Sequence, residues 1–433
     1  MGSADAFNAD AASSGGARIS FFVGKGGVGK STLASATAVQ AALGGQRVLV
    51  VSTDQAHSLG DVLGVPVTPG GAATVPVRIL TEERGGVGGG GHLDAMALDT
   101  LVLLESAWRI AGPVLAARFP ESDLKDVAPQ ELLALPGIQE VLGLQAVASL
   151  ADSGRWDRVV VDCASTADAV RMLTLPAVFA DYLERCWPRH RRLSSDSHDA
   201  PLAATVVMIE TLGASLEALS GLLTNEARVS AHLVLTPERV VAAEALRTLG
   251  SLTLLGVAVA EVIVNQVLLQ DDSFEYRNLP EHPAFDWYAS RLSEQGEVLE
   301  RLAGQTGGIR LVLAPHCPAE PIGAKALGQL LDDARRREGA APPPPLRPVV
   351  ERETGPGGRS LDAVYRLRLE LTQADSSAIS LGRSGDDLII AVAGVRRRIR
   401  LAPVLRRCTV LDATLRGGEL TVRFRPDPQV WPS

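Results

Sequence analysis

The chain has 433 residues, 46% of them hydrophobic and 21% charged, with a formal net charge of −8. That length carries two or three domains with buried cores, and the acidic balance gives no electrostatic basis for binding nucleic acid. Four widely separated cysteines (Cys163, Cys186, Cys317 and Cys408) form no CxxC or metal-ligand spacing, so reduced thiols and a cytoplasmic setting are expected.

Residues 1–17 are small and polar and read as a disordered tail without the basic start and apolar stretch of a signal peptide. Ile19 to Val23 then reads as a buried strand, followed by a glycine-rich turn from Gly24 to Gly29 and an alanine-rich helix from Ser31 to Leu43. Gly24, Gly29, Lys30 and Ser31 fit the phosphate-loop spacing G-x-x-x-x-G-K-[ST]. Glycine lets backbone N–H groups approach phosphate oxygens, and the helix N-terminus adds partial positive charge. The candidate phosphate cradle is Gly26, Gly27, Val28, Gly29, Lys30, Ser31 and Thr32, with Lys30 toward the β- and γ-phosphates and Ser31 toward Mg²⁺.

A second apolar strand, Arg47 to Ser52, ends in Thr53-Asp54-Gln55-Ala56-His57-Ser58-Leu59. In open α/β sheets ligands bind at the carboxyl ends of strands, which places Asp54 near the γ-phosphate. The glycine-rich stretch within residues 68–92 reads as a surface insertion, and residues 93–153 as helices. Trp156 to Asp162 is a third strand, whose terminal Asp162 suits the water shell of Mg²⁺. Residues 172–230 read as helical, broken by an Arg/Ser-rich loop from Pro188 to Ser197 whose arginines are expected to be solvated. No uninterrupted apolar run is long enough to span a bilayer, so direct membrane insertion is not expected.

Lys25 inside the loop, with Asp54-Gln55-Ala56-His57-Ser58-Leu59 after the second strand, resembles the ArsA/Get3 family of nucleotide hydrolases with a deviant Walker A loop. Pro136-Gly137-Ile138-Gln139-Glu140 and the segment from Asp162 to Arg171 also resemble family stretches. The resemblance implies a doubly wound, mostly parallel P-loop ATPase domain over residues 18–335, with a helical subdomain at about 93–230. It implies ATP and Mg²⁺ as cofactors and a homodimer in which Lys25 reaches the partner's nucleotide. By the same resemblance Asp54 would orient the attacking water, and Ser31 and Asp162 would hold the metal. Asn265 and Pro315 would contact adenine, the loop at Pro315 reading equally well as a structural turn, and a client protein or membrane partner would receive the motion. The chain departs from the family pattern at Gln55, in place of proline, and at Ala167 and Asp168, in place of glycine and histidine. Those departures motivate an alternative, a nucleotide-gated scaffold with little hydrolysis. A third reading, a partitioning ATPase, predicts a basic face or an amphipathic tail that the sequence lacks. Arsenite needs clustered thiolates, and none is visible.

Residues 336–359, rich in proline and glycine, read as a linker. Period-two alternation follows at Tyr365 to Leu371, Asp387 to Val392, Val395 to Leu401 and Glu419 to Phe424, with a Gly417-Gly418 hairpin turn. Residues 360–433 are therefore expected to form an all-β sandwich, which resembles the small-heat-shock-like (α-crystallin-like) domain of some ArsA-family ATPases. Arg396, Arg398 and Arg400 share one face of their strand and read as a solvated edge.

Overall fold

The computed structural model describes residues 16–54, 58–81, 90–122, 127–132, 135–194, 200–269, 282–337, 339, 348–354, 361–371 and 379–431. The tail before Gly16, the switch residues Gln55, Ala56 and His57, the centre of the glycine-rich insertion and the proline run lie outside the described residues. The chain divides into two compact units. One runs to Val234 and takes up Cys317–Ala334; the other holds Leu235–His316 and the chain from Arg335 onward.

The first unit opens with β1 (Arg18–Val23), α1 (Lys30–Leu43), β2 (Arg47–Ser52), α2 (Ser58–Leu63), β3 (Pro69–Gly70), β4 (Val77–Thr81) and β5 (His92–Leu98). Helices α3 (Thr100–Arg118), α4 (Pro129–Leu132) and α5 (Ile138–Asp152) precede β6 (Arg158–Asp162). Helices α6 (Thr166–Cys186), α7 (Arg189–Leu193) and α8 (Ala200–Leu223) precede β7 (Val229–Leu235). Parallel strands lie in the order β7-β1-β6-β2-β5-β3, with β4 antiparallel on β5. Strands β1, β2, β5 and β6 each begin at a partly or fully exposed residue and are buried from there on, as expected of central parallel strands covered on both faces.

The sheet absorbs part of the region expected to be helical. His92–Leu98 is a strand, because its apolar run is buried from Leu93 onward between β2 and its edge neighbours. Asp94 enters that core only with partners. Trp156 Nε1 donates to its Oδ2 at 2.9 Å, and the Arg78 guanidinium donates to its Oδ1. The arginine-rich loop also differs from expectation. Arg192 is 5% exposed; its Nε donates to Glu210 at 2.6 Å, and a second nitrogen donates to the Trp187 carbonyl. A buried guanidinium demands such pairing, so Arg192 fastens α7 to α8, while Arg189 and Arg191 of the same short helix are exposed as expected.

Two helices bear on the membrane reading, although charged residues interrupt both, Glu105 and Arg109 in α3 and Glu210 and Glu217 in α8. Helices α3 and α8 carry 18-residue windows of mean hydropathy 1.3 and 1.5, long and apolar enough by length and composition. Only 6% and 17% of those windows are buried. They pack on each other and leave apolar side chains such as Ile110, Val207 and Leu212 exposed.

The second unit begins with α9 (Arg239–Leu255), β8 (Val259–Val267), α10 (Pro283–Gln305) and β9 (Arg310–Pro315). Next in chain order, α11 (Gly323–Asp332) belongs to the first unit and packs on α1. Strands β8 and β9 are parallel, and β10 (Arg335–Arg337) is antiparallel on β9. The remaining elements are β11 (Val349–Thr354), β12 (Val364–Glu370), β13 (Ile379–Ser384), β14 (Asp387–Val392), β15 (Val395–Arg400), α12 (Pro403–Arg406), β16 (Cys408–Arg416) and β17 (Glu419–Pro426). They form two antiparallel sheets, β11-β12-β17-β16 and β13-β14-β15. Gly417 and Gly418, at φ 58° and 81°, make the expected tight turn between β16 and β17. Two segments of the stretch read as a linker are in strands, β10 and β11, because each finds an antiparallel partner.

The inner faces of both sheets supply one apolar cluster, including Leu367, Leu369, Ile390, Ile399, Val422 and Phe424. Leu254, in the last turn of α9, is a fully buried member of it. Beside it, Arg397 Nη1 donates to the Leu254 carbonyl at 2.7 Å. Helix-terminal carbonyls lack intrahelical donors and carry partial negative charge, so a guanidinium there satisfies both. The sandwich is thus built partly around a helix that lies far before it in the chain. Leu254→Ala is expected to lower the stability of the full chain by about 2–5 kcal/mol in denaturant unfolding. An unchanged midpoint would show that α9 is not part of that core.

Candidate nucleotide-binding site

Three neighbouring parallel strands, β1, β6 and β2, end level with one another. Asp162 pairs in register with Phe22 on one side and Ser52 on the other. The chain leaves β1 for β2 across β6 and returns later to fill β6 and β7, so the strand order reverses about β1. That reversal opens the crevice where α/β proteins bind ligands.

The loop leaving β1 is shaped by its glycines. A Cβ on Gly24 would lie 2.2 Å from the Val234 carbonyl oxygen, so only glycine lets the loop pass β7. Gly27 and Gly29 have φ of 82° and 90°, a left-handed region that disfavours side chains. Gly29 caps α1 without a side chain, leaving the first-turn N–H groups of a helix with no acidic residue in that turn. Val28 is buried and anchors the loop. Lys30 is 8% exposed and donates from Nζ to the Lys25 carbonyl at 3.1 Å, so its ammonium folds back beneath the loop. Lys25 itself is exposed, Gly26 has open space where a Cβ would be, and Thr32 is half-buried on the first turn.

Under the loop lies a polar chain that the sequence reading only half found. Ser52, fully buried, donates from Oγ to Asp162 Oδ2 at 3.3 Å and accepts the Asp54 backbone N–H at 3.1 Å. Thr53 binds the Asp162 carbonyl through both its N–H and its hydroxyl. Asp54 and Asp162 are thereby held through one serine. Ser31 Oγ lies 3.0 Å from Ser58 Oγ at the start of α2. The signals for Ser52 and Ser58 were faint. Ser52 is the polar residue closing an apolar strand, and Ser58 sits inside a motif read for its aspartate.

Asp162 is completely buried, and its Oδ1 has no hydrogen-bond partner in the protein. Burial pushes its carboxyl up to about 6 and the Asp54 carboxylate adds to the rise, while the hydroxyls of Ser31 and Ser52 and the Lys30 ammonium lower it. A buried carboxylate oxygen lacking a donor, beside a loop-end hydroxyl, matches the hard oxygen donors that Mg²⁺ takes through its water shell. Ser31 and Asp162 therefore fit the metal. The neighbouring Cys163 is buried with its thiol pushed far up by the same desolvation, so it is no nucleophile.

Asp168, which stands where the family has histidine, is engaged locally. Ser165, the N-cap of α6, donates to its carboxylate at 2.7 Å and accepts its N–H at 3.2 Å. Arg171 donates to it at 2.8 Å and reaches Glu140 on α5 at 3.3 Å. These contacts hold the Asp168 carboxyl below its ordinary range. Ala167 is an ordinary helical residue of α6. In the second unit, Asn265 is 6% exposed near the end of β8, and Pro315 ends β9 beside it.

The loop, its level strand ends and the buried carboxylate define a P-loop nucleotide-binding fold. The chain belongs to the anion-transporting ATPase (ArsA) family, whose profile matches residues 17–334. A second profile, the HSP20-like domain found in ArsA, matches residues 362–424. The chain is 64% identical over 417 residues to protein Rv2184c of Mycobacterium tuberculosis, covering 96% of this chain and 98% of that one. It is 25% identical to a protein of Aquifex aeolicus provisionally named arsenical pump-driving ATPase 1, over 94% of this chain and 99% of the other. It is 22% identical to ATPase ASNA1 homolog 1 of Paramecium tetraurelia, over 72% of this chain and 90% of the other.

Burial holds the Asp162 carboxyl at about 6, above the ordinary carboxylate range. Its protonated form is favoured by folding, so its contribution to stability is present below pH 4 and lost as pH rises through 6. Asp162→Asn removes that loss. In the absence of metal and nucleotide, the variant is expected to gain up to about 3 kcal/mol over the parent between pH 4 and pH 7.5. Urea midpoints at the two pH values check this; parallel pH profiles for the two proteins would refute it.

Proposed function

We propose that the chain is a dimeric, Mg²⁺-dependent ATPase that couples ATP hydrolysis to the opening and closing of its helical region for an apolar client or a membrane partner. The observation that carries this reading is the Ser52 bridge, which holds Asp54 and Asp162 together beneath the phosphate loop. ATP lies with its phosphates on the N–H groups from Gly26 to Thr32. Lys30 leaves the Lys25 carbonyl for the β- and γ-phosphates and stabilises charge there. Mg²⁺, when bound, supplies charge neutralisation at the phosphates, with Ser31 and Asp162 holding it and its water. Asp54 orients the water that attacks the γ-phosphorus in line. Lys25 of the second copy adds positive charge, as an arginine finger does. Asn265 and Pro315 read the base.

Exposed apolar residues on the helical region support the client half of the reading. Ile110 and Phe119 at α3, Val178 and Tyr182 on α6, and Val207 and Leu212 on α8 are 44–75% exposed. An apolar surface of this kind is costly in water and is a feature of interaction sites. Arsenite as cargo has no comparable support, since no cluster of three His, Cys, Asp or Glu suited to a metal occurs among the described residues.

Steady-state ATP turnover of the purified protein, of Asp54→Asn and of Lys25→Ala tests the proposal, with dimerisation followed by light scattering. Both variants are expected to bind ATP and to lose turnover, Lys25→Ala by about 10³-fold or more. ATP binding with no turnover in the parent would instead establish the nucleotide-gated scaffold.

A further inference from the structure

The two residues that fit the metal, Ser31 and Asp162, each have a hydroxyl partner from the stretch that joins β2 to α2. Ser52, at the end of β2, donates to Asp162 Oδ2 at 3.3 Å. Ser58, the first residue of α2, has its Oγ 3.0 Å from Ser31 Oγ. All four residues belong to the first unit. Ser52 ties Asp162 to Asp54, whereas Ser58 lies outside the phosphate loop and reaches the site through Ser31.

A serine hydroxyl has one proton and two lone pairs, and it rotates until something fixes it. The Ser31 hydroxyl acts on the Asp162 carboxyl and lowers it. In its ionised, metal-binding form that carboxylate only accepts, so the Ser31 proton faces Asp162. Ser58 is then the donor of the 3.0 Å pair and occupies one Ser31 lone pair. The second lone pair is left for a cation. The rotor is thus fixed on two sides, in an orientation that a metal ligand needs. Groups that orient a metal ligand in this way are worth about 10- to 100-fold in metal affinity.

Ser58 is itself held by packing. Leu59 is fully buried and Leu63 is 3% exposed, and α2 packs on α1, the helix that carries Ser31. Beyond them the chain closes on the short helix, with the Gly64 N–H on the Asp61 carbonyl at 3.2 Å and the Val65 N–H on the Gly60 carbonyl at 3.1 Å. The separation of the two serines is therefore set by the apolar seat of α2 and not by their hydrogen bond alone.

We propose that Ser58 is a positioning residue for the metal, orienting the Ser31 hydroxyl so that it presents a lone pair to Mg²⁺. The inference rests on the Mg²⁺-nucleotide reading of the site and deepens it at a residue outside the phosphate loop.

The test is calorimetric binding of adenylyl imidodiphosphate, an ATP analogue that is not hydrolysed, to the full-length protein with excess Mg²⁺ and again with EDTA. The ratio of the two affinities is the gain supplied by the metal. Ser58→Ala is expected to cut that gain about tenfold, with the metal-free affinity held within about twofold of the parent's. Ser58→Thr keeps a hydroxyl and is expected to keep the parental gain. Leu63→Ala removes packing under the same helix and is expected to leave the gain at its parental value. A parental gain in Ser58→Ala, an equal loss with and without metal, a gain in Ser58→Thr as low as in Ser58→Ala, or a matching fall in Leu63→Ala overturns the positioning role. A parent that binds the analogue with no gain from Mg²⁺ overturns this inference and leaves the phosphate loop standing. A parent that binds no analogue overturns the nucleotide reading as well.

Discussion

The first unit depends on a carboxylate held where water does not reach. Asp162 closes the central strand β6 with no exposed surface, and one of its oxygens has no partner in the protein. Desolvation on that scale costs several kcal/mol for a charged group unless a cation or donors offset it. The hydroxyls of Ser31 and Ser52 and the Lys30 ammonium offset part of it, and the carboxyl still titrates near 6. A site whose resting state is electrostatically incomplete is the physical form of a preference for a bound cation. The Asp54 carboxylate raises the Asp162 carboxyl further, a repulsion that a bound cation would relieve.

Level strand ends are the geometric half of the same constraint. Phe22, Asp162 and Ser52 share one register across β1, β6 and β2. The loop from Gly24 to Gly29 must then turn within a narrow space, past the Val234 carbonyl and into α1. Glycine at Gly24 answers a steric demand, and glycine at Gly27 and Gly29 a conformational one. Ala167 and Asp168, the departures from the family pattern in the second switch, lie on α6 away from this loop. Asp168 directs its charge to Ser165 and Arg171, and Arg171 links the start of α6 to Glu140 on α5. Charged hydrogen bonds thus tie the start of α6 to α5 in the helical region, where α3, α6 and α8 display apolar side chains.

The C-terminal sandwich completes its core with a residue from the ATPase region. Leu254 fills it, and Arg397 closes over the last turn of α9. Burial lowers the Arg397 pKa, which is the cost of placing a guanidinium there, and the helix-end carbonyl supplies the compensating partner. The charged pairs across β11, β12 and β17, such as Arg366 with Glu353 and Arg368 with Glu351, lie nearer the surface and contribute less.

Local chemistry was legible in the sequence: the phosphate loop, the apolar strands ending at Asp54 and Asp162, and the alternating strands of the sandwich. Each is dictated within a few residues, by glycine conformational freedom or by period-two and continuous apolar patterning, so no distant partner is needed to read it. The strand at His92–Leu98 and the buried Arg192 were not legible in that way. An apolar run of seven fits a helix or a strand equally, and only its place beside β2 decides. Arginine at positions 192 and 397 reads as surface until Glu210 and the end of α9 are brought to it by the fold. Ser52 and Ser58 are plain polar residues whose roles exist only through groups remote in the chain, Asp162 and Ser31. The sequence alone determined the fold class and the glycine-rich loop between β1 and α1, because they follow from local backbone and patterning rules. The tertiary structure alone decided which buried polar groups complete one another, because a hydrogen bond in a low-dielectric core depends on distances that no local pattern encodes.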